Sequence, residues 1–84
     1  MEKITFKDGF GFIYLNKNIY SKKVIISTFK VYLDFFEGSI LELKDKYIIK
    51  IIKKENDYST EDLTWEFLNY LISVEYESLN KNKK

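Results

Sequence analysis

The chain runs through the same plan twice: a strand–turn–strand pattern, then a helical one. In the first half, Lys3 to Phe6 alternates and meets Asp8-Gly9, a dipeptide suited to the left-handed positions of a tight hairpin turn. Phe10, Phe12 and Tyr14 then share one strand face, and Gly11, Ile13 and Leu15 share the other. Asn16-Lys17-Asn18 breaks the strand. Ser21 is a natural N-cap, with Tyr20 placed to staple against Ile25. Ile25, Phe29, Tyr32 and Phe36 then recur at helical spacing, widened by Val24, Thr28, Val31 and Phe35. Several of these are β-branched, so tertiary burial must hold this helix. Glu37-Gly38 is expected to end it, with Gly38 at C′.

The second half follows suit. Ser39 to Leu43 is expected as a strand, Lys44-Asp45-Lys46 as a turn and Tyr47 to Lys54 as a second strand. That second strand is apolar on both faces, which suits a central or doubly covered position. Ser59-Thr60-Glu61-Asp62 resembles a capping box, with Tyr58 stapled to Leu63. The order ββαββα predicts an α+β fold: a two-layer domain whose four-stranded, mostly antiparallel sheet is covered by two helices. Residues 1–79 are expected to form a single domain and residues 80–84 a disordered basic tail. The strand order is left open, and pairing of hairpins across two chains is equally allowed.

The last helix, expected from Ser59 to about Leu79, is apolar on two sides. At about 100° per residue, Leu63, Phe67, Tyr70, Leu71 and Val74 share one face. Trp65, Leu68, Ile72, Tyr76 and Leu79 share a second, offset by well over a right angle. A surface helix of a small domain needs one apolar stripe. The chain has 84 residues, near the size at which one core barely suffices, and offers little else to bury the second stripe. Trp65, Leu68, Ile72 and Tyr76 are therefore expected to form a partner or dimer interface. Trp65 is the hot-spot candidate, because Trp is enriched at interface centres.

Composition narrows the chemistry. Cys and His are absent, which removes disulfides, thiolate chemistry, histidine bases and the usual zinc sites. Glu61, Asp62 and Glu66 cluster at helical spacing, but acids at a helix N-terminus are explained by the helix dipole. Ser21, Ser59 and Thr60 are explained by capping. Gly9 and Gly11 lie in a hairpin and form no phosphate-binding loop. Neither an enzyme, nor a metal, nor a cofactor is expected. The formal net charge is +1, with lysines scattered among nearly equal numbers of acids, so no nucleic-acid partner is expected. The Phe10-Phe12-Tyr14 row could stack bases, but its strand carries no basic residue before Lys17. Core packing under the helices is the expected role of that row. Apolar runs such as Tyr47-Ile48-Ile49, stopped by Lys50, fall far short of a membrane span. Met1-Glu2-Lys3 does not begin a signal peptide, so a cytoplasmic location is expected. The abundance of Lys, Ile, Asn, Tyr and Phe, with no Ala, Pro, Arg or Gln, fits translation from an AT-rich bacterial genome.

Three segments carry a family resemblance. Asn18-Ile19-Tyr20-Ser21, the helical Phe29-Lys30-Val31-Tyr32-Leu33-Asp34 and the C-terminal Trp65-Glu66-Phe67-Leu68-Asn69-Tyr70-Leu71 together resemble the accessory protein D of the His-Xaa-Ser peptide-maturation system (HxsD). The likeness spans roughly Ile13 to Tyr76, and its most specific piece is Glu66-Phe67-Leu68-Asn69-x-Leu71. The family tends to carry an arginine shortly after the Leu71-like position. This chain has Val74-Glu75-Tyr76 there, so no role of that arginine carries over. The resemblance implies a small, non-catalytic helper of radical SAM enzymes that modify a ribosomally made precursor rich in His-Xaa-Ser repeats. Such a helper would bind the precursor, the enzyme or both. The best-known precursor-binding domains have a winged-helix plan of three strands and three helices, which ββαββα does not match. The alternative is a small homodimeric structural or regulatory protein unrelated to peptide maturation. A sheet this small leaves edges, and Lys3 to Phe6, flanked by Lys3 and Lys7, is the expected edge for an added strand.

Overall fold

A computed structural model describes residues 2–82. Six elements follow in the expected order: β1 (Lys3–Lys7), β2 (Phe10–Asn16), α1 (Lys22–Val31), β3 (Phe36–Glu42), β4 (Lys46–Lys53) and α2 (Thr60–Asn82). The four strands form one sheet in the order β1-β2-β4-β3, with every neighbouring pair antiparallel. Both helices cover one face of it. The fold is α+β in two layers.

Local chemistry explains most of the boundaries. Asp8 and Gly9 both have positive φ, 55° and 83°, as a two-residue turn with the right twist for a hairpin requires. The Ser21 side chain accepts a hydrogen bond from the Val24 amide and starts α1. Ser59 does the same for the Asp62 amide and starts α2. Tyr20 and Ile25, on either side of the Ser21 cap, are both buried. The strand β4 is central, between β2 and β3, which accounts for its apolar character.

The first helix is shorter than expected. It ends at Val31 with Tyr32 as C-cap, and the chain turns through 32–35 before β3 begins at Phe36. Gly38 is therefore no helix cap. It sits inside β3, opposite Ile51. Two pressures end the helix early. Its β-branched residues resist helix continuation, and Phe36 gains a fully buried position by pairing opposite Lys53. Gly38 is required for another reason, since a Cβ there would overlap the Phe29 ring packed above it. Gly11, in β2, stands in the same relation to Thr64 of α2.

The core lies between sheet and helices. Ile13 and Leu15 of β2, Phe36 of β3 and Ile49 and Ile51 of β4 meet Ile25 of α1 and Leu63, Phe67, Leu68 and Leu71 of α2. Ring contacts tie the layers together: Phe67 lies 5.1 Å from Phe29 and 5.7 Å from Phe36, centroid to centroid. Thr28 and Thr64 are buried as well, each donating its hydroxyl to the carbonyl one helical turn back, Val24 and Thr60 respectively.

Three expectations about faces are corrected here. The Phe10-Phe12-Tyr14 row does not pack under the helices. The buried face of β2 is Gly11-Ile13-Leu15, and the aromatic row lies on the sheet face that carries no helix. Gly11 decides this, because α2 must approach the sheet closely at Thr64 and only a strand face starting with glycine allows it. Leu68, expected in the exposed stripe of α2, is instead 3% exposed and belongs to the core. The sheet is broader than one stripe of α2, so the helix buries Leu63, Thr64, Phe67, Leu68 and Leu71 together. Tyr70, expected in the core, is exposed. Of the expected tail, 80–82 are helical and the last two residues lie outside the described range.

Candidate functional site

The first turns of α2 carry the site, and the turn that ends α1 completes it. Ser59 fixes where α2 starts, and the burial of Leu63, Phe67 and Leu71 fixes how it is rotated. That rotation puts Trp65, Ile72 and Tyr76 outward at 52%, 40% and 65% exposure. Leu68 is directed inward between them, so three of the four expected interface residues form the exposed row. The side chain of Leu79, expected to extend it, lies outside the described residues.

Beside Trp65 is a cleft of about 500 Å³, lined by Tyr32, Phe35, Tyr58, Asp62, Leu63, Trp65, Glu66 and Asn69. Its floor is aromatic. Tyr32 stacks on Phe36 at 5.6 Å and meets Phe35 and Tyr70 edge-on at 6.5 and 5.8 Å. Tyr58 stands edge-on to Phe35 at 5.6 Å. Burial pushes the Tyr32 hydroxyl above the ordinary tyrosine range, and Glu66 adds to that. It donates a long, 3.4 Å hydrogen bond to the Glu66 carbonyl. The early end of α1 makes this cleft, since 32–35 in helical form would have carried Phe35 elsewhere.

The charged lining of the cleft is entirely acidic. Asp62 and Glu66 lie one helical turn apart on α2, and no lysine lines the cleft. An aromatic cleft edged by carboxylates suits a flat or apolar group bearing positive charge, through cation–π and ionic contact. Along 65–71, Phe67, Leu68 and Leu71 are core, Trp65, Glu66 and Asn69 line the cleft, and Tyr70 is exposed. Among the described residues, no three Asp or Glu side chains gather as a metal site would need. Helix dipole and capping still account for Glu61 and Ser59.

The aromatic row of β2 forms a second, half-buried surface on the helix-free face. Its expected lack of basic neighbours holds only along its own strand. Register places Lys3 opposite Tyr14 and Lys7 opposite Phe10 on one side, and Lys50 opposite Phe12 on the other. A strand-by-strand reading misses this because cross-strand neighbours are far apart in sequence. The edge expected at β1 is an edge, and β3 is the other. No helix among the described residues is long and apolar enough to cross a membrane. No family model, no curated protein and no solved structure matches the chain.

Proposed function

We propose that this chain is a non-catalytic protein- and peptide-binding accessory module, serving a radical SAM enzyme in the maturation of a ribosomally synthesised peptide in a bacterial cytoplasm. The observation that carries it is the aromatic cleft edged by Asp62 and Glu66, beside the exposed row Trp65, Ile72 and Tyr76. In the resembled family the precursor is rich in His-Xaa-Ser repeats. An imidazole fits such a cleft: its ring packs against Tyr32, Phe35 and Tyr58, and its protonated form meets the two carboxylates. Trp65 would lie along the bound peptide. The chain supplies shape and charge, and the enzyme supplies the chemistry.

Trp65 is the chain's single tryptophan, so its fluorescence reports on the cleft alone. Titration with a synthetic peptide of His-Xaa-Ser repeats should change that emission in a saturable way. Affinity should rise as pH falls through the histidine range near ~6.5. Glu66→Gln should weaken the pH dependence, and Trp65→Ala should weaken co-purification with a radical SAM enzyme encoded beside this chain. No emission change, together with no co-purification of that enzyme, would overturn the proposal.

A further inference from the structure

The helix-free face of the sheet is a grid set by strand register. One row across it reads Lys3, Tyr14, Ile48, Leu41, and the next reads Thr5, Phe12, Lys50, Ser39. Lys7 stands opposite Phe10, Glu37 opposite Ile52 and Asn16 opposite Lys46 at the margins. Phe10, Phe12, Tyr14, Ile48 and Ile52 are all half-buried, and none of them belongs to the core or packs against it. They form an apolar strip two strands wide along the middle of the sheet. Its charges are unbalanced: among the strand residues on this face, Lys3, Lys7, Lys46 and Lys50 stand against Glu37. Net charge conceals this, because the acids gather on the other side of the molecule. From Thr60 to Glu77, α2 carries Glu61, Asp62, Glu66, Glu75 and Glu77 and no lysine.

We infer that this face docks an acidic amphipathic helix of a protein partner. The inference rests on the reading of the chain as a binding module but concerns a different surface from the cleft. Width is the first argument. Two adjacent strands span roughly 10 Å, about the diameter of one helix. Layering is the second, because an apolar strip on a sheet face can take a helix as a further layer, as α1 and α2 cover the opposite face. Charge selects the helix: carboxylates flanking its apolar stripe would meet Lys3 and Lys7 on one margin and Lys46 and Lys50 on β4. Lys50 is the specificity element. It lies within the strip, with its ammonium 4.2 Å from the centre of the Phe10 ring, and an incoming carboxylate can draw it off.

Two other occupants fit less well. A second copy docked face to face would set lysines against lysines. Single-stranded nucleic acid would find the lysines, but Ile48 and Ile52, on the β4 side of the strip, and Leu41 beside them offer no stacking plane.

The test uses the full chain, labelled for amide NMR, and a synthetic leucine–glutamate helix with its leucines on one face. Binding should shift amides of β2 and β4, weaken on adding salt and leave Trp65 fluorescence unchanged. Lys50→Glu should lower affinity by at least about tenfold, the loss of one well-placed ion pair made repulsive. Lys7→Glu, at the margin, should lower it less, and circular dichroism should show both variants folded. Equal binding of the same helix with lysines for glutamates would overturn the inference, as would tighter binding of an oligouridylate. So would concentration-dependent self-association that Lys50→Glu abolishes. Loss of binding in Trp65→Ala but not in Lys50→Glu would also overturn it, moving the partner to the cleft and leaving the proposed function standing.

Discussion

The two faces of this one sheet both carry apolar rows, and only one of them is core. The covered face presents Ile13, Leu15, Ile49 and Ile51 to the helices, all fully buried. The open face presents Phe10, Phe12, Tyr14, Ile48 and Ile52, all half-buried, with lysines on either side. The open face is apolar too, but it is interrupted by Lys50 and bordered by Lys3, Lys7 and Lys46. Glycine adds to that difference. Gly11 lets Thr64 of α2 approach β2, and Gly38 lets Phe29 of α1 approach β3. Helices settle where the strands leave room for backbone and ring. Side-chain volume at the close approaches helps decide which strand face its own helices cover.

The sharpest way to break this comparison uses two adjacent residues. Ile49→Asp places a charge in the core and should unfold the protein, a loss beyond about 4 kcal/mol. Ile48→Asp, one position away on the open face, should leave the circular dichroism spectrum and cooperative melting intact. If both variants unfold, the two faces are not distinct.

The same contrast recurs within α2. Leu68→Ala should cost about 2–4 kcal/mol in denaturant titration, as for other buried leucines. Trp65→Ala, although it removes a larger side chain, should cost less than about 1 kcal/mol, because that side chain is half in water. A greater loss at Trp65 than at Leu68 would make the exposed row part of the core.

The glycine argument can be tested by compensation. Gly11→Ala should destabilise by about 1–3 kcal/mol through overlap with Thr64. Thr64→Ala removes the hydroxyl that the new Cβ meets first, so the double variant should lose less than the sum of the single ones. Strict additivity would show that the helix does not rest on this contact.

The smallest effects are in pH. Tyr20 is pushed above its ordinary pKa of 10.0, chiefly by burial and then by its 2.6 Å hydrogen bond to Glu2. A group whose folded pKa is raised contributes stability that is fully present below the unfolded value and is lost as pH rises past it. Alkaline unfolding should therefore set in above pH ~10 and be shallower in Tyr20→Phe. Glu42 behaves in the opposite sense. Hydrogen bonds from Lys17 and Lys22 hold its carboxyl below the usual range, so its small contribution is present at neutral pH and fades as pH falls below the glutamate range. Salt should abolish it, since the group is exposed.

Much of the fold was legible in the chain because its signals are local. Asp8-Gly9 made the first hairpin, Ser21 and Ser59 started the helices, and period-two and period-3.6 patterns separated strands from helices. These act over a few residues, within reach of one turn or one cap. The site was legible in part. Trp65, Ile72 and Tyr76 stand out by spacing alone. Tyr32, Phe35 and Tyr58, which build the cleft around Trp65, did not, because the turn after Val31 depends on Phe36 finding its place opposite Lys53.

Sequence by itself determined the number, kind and order of the elements, since each strand, turn and cap is selected by neighbours along the chain. Tertiary structure alone decided which face of β2 is core, that Leu68 faces inward and that four lysines from two strands far apart in the chain meet on one surface. Those outcomes depend on strand register and on how closely a helix can approach a sheet, and both are set by contacts between residues far apart in the chain.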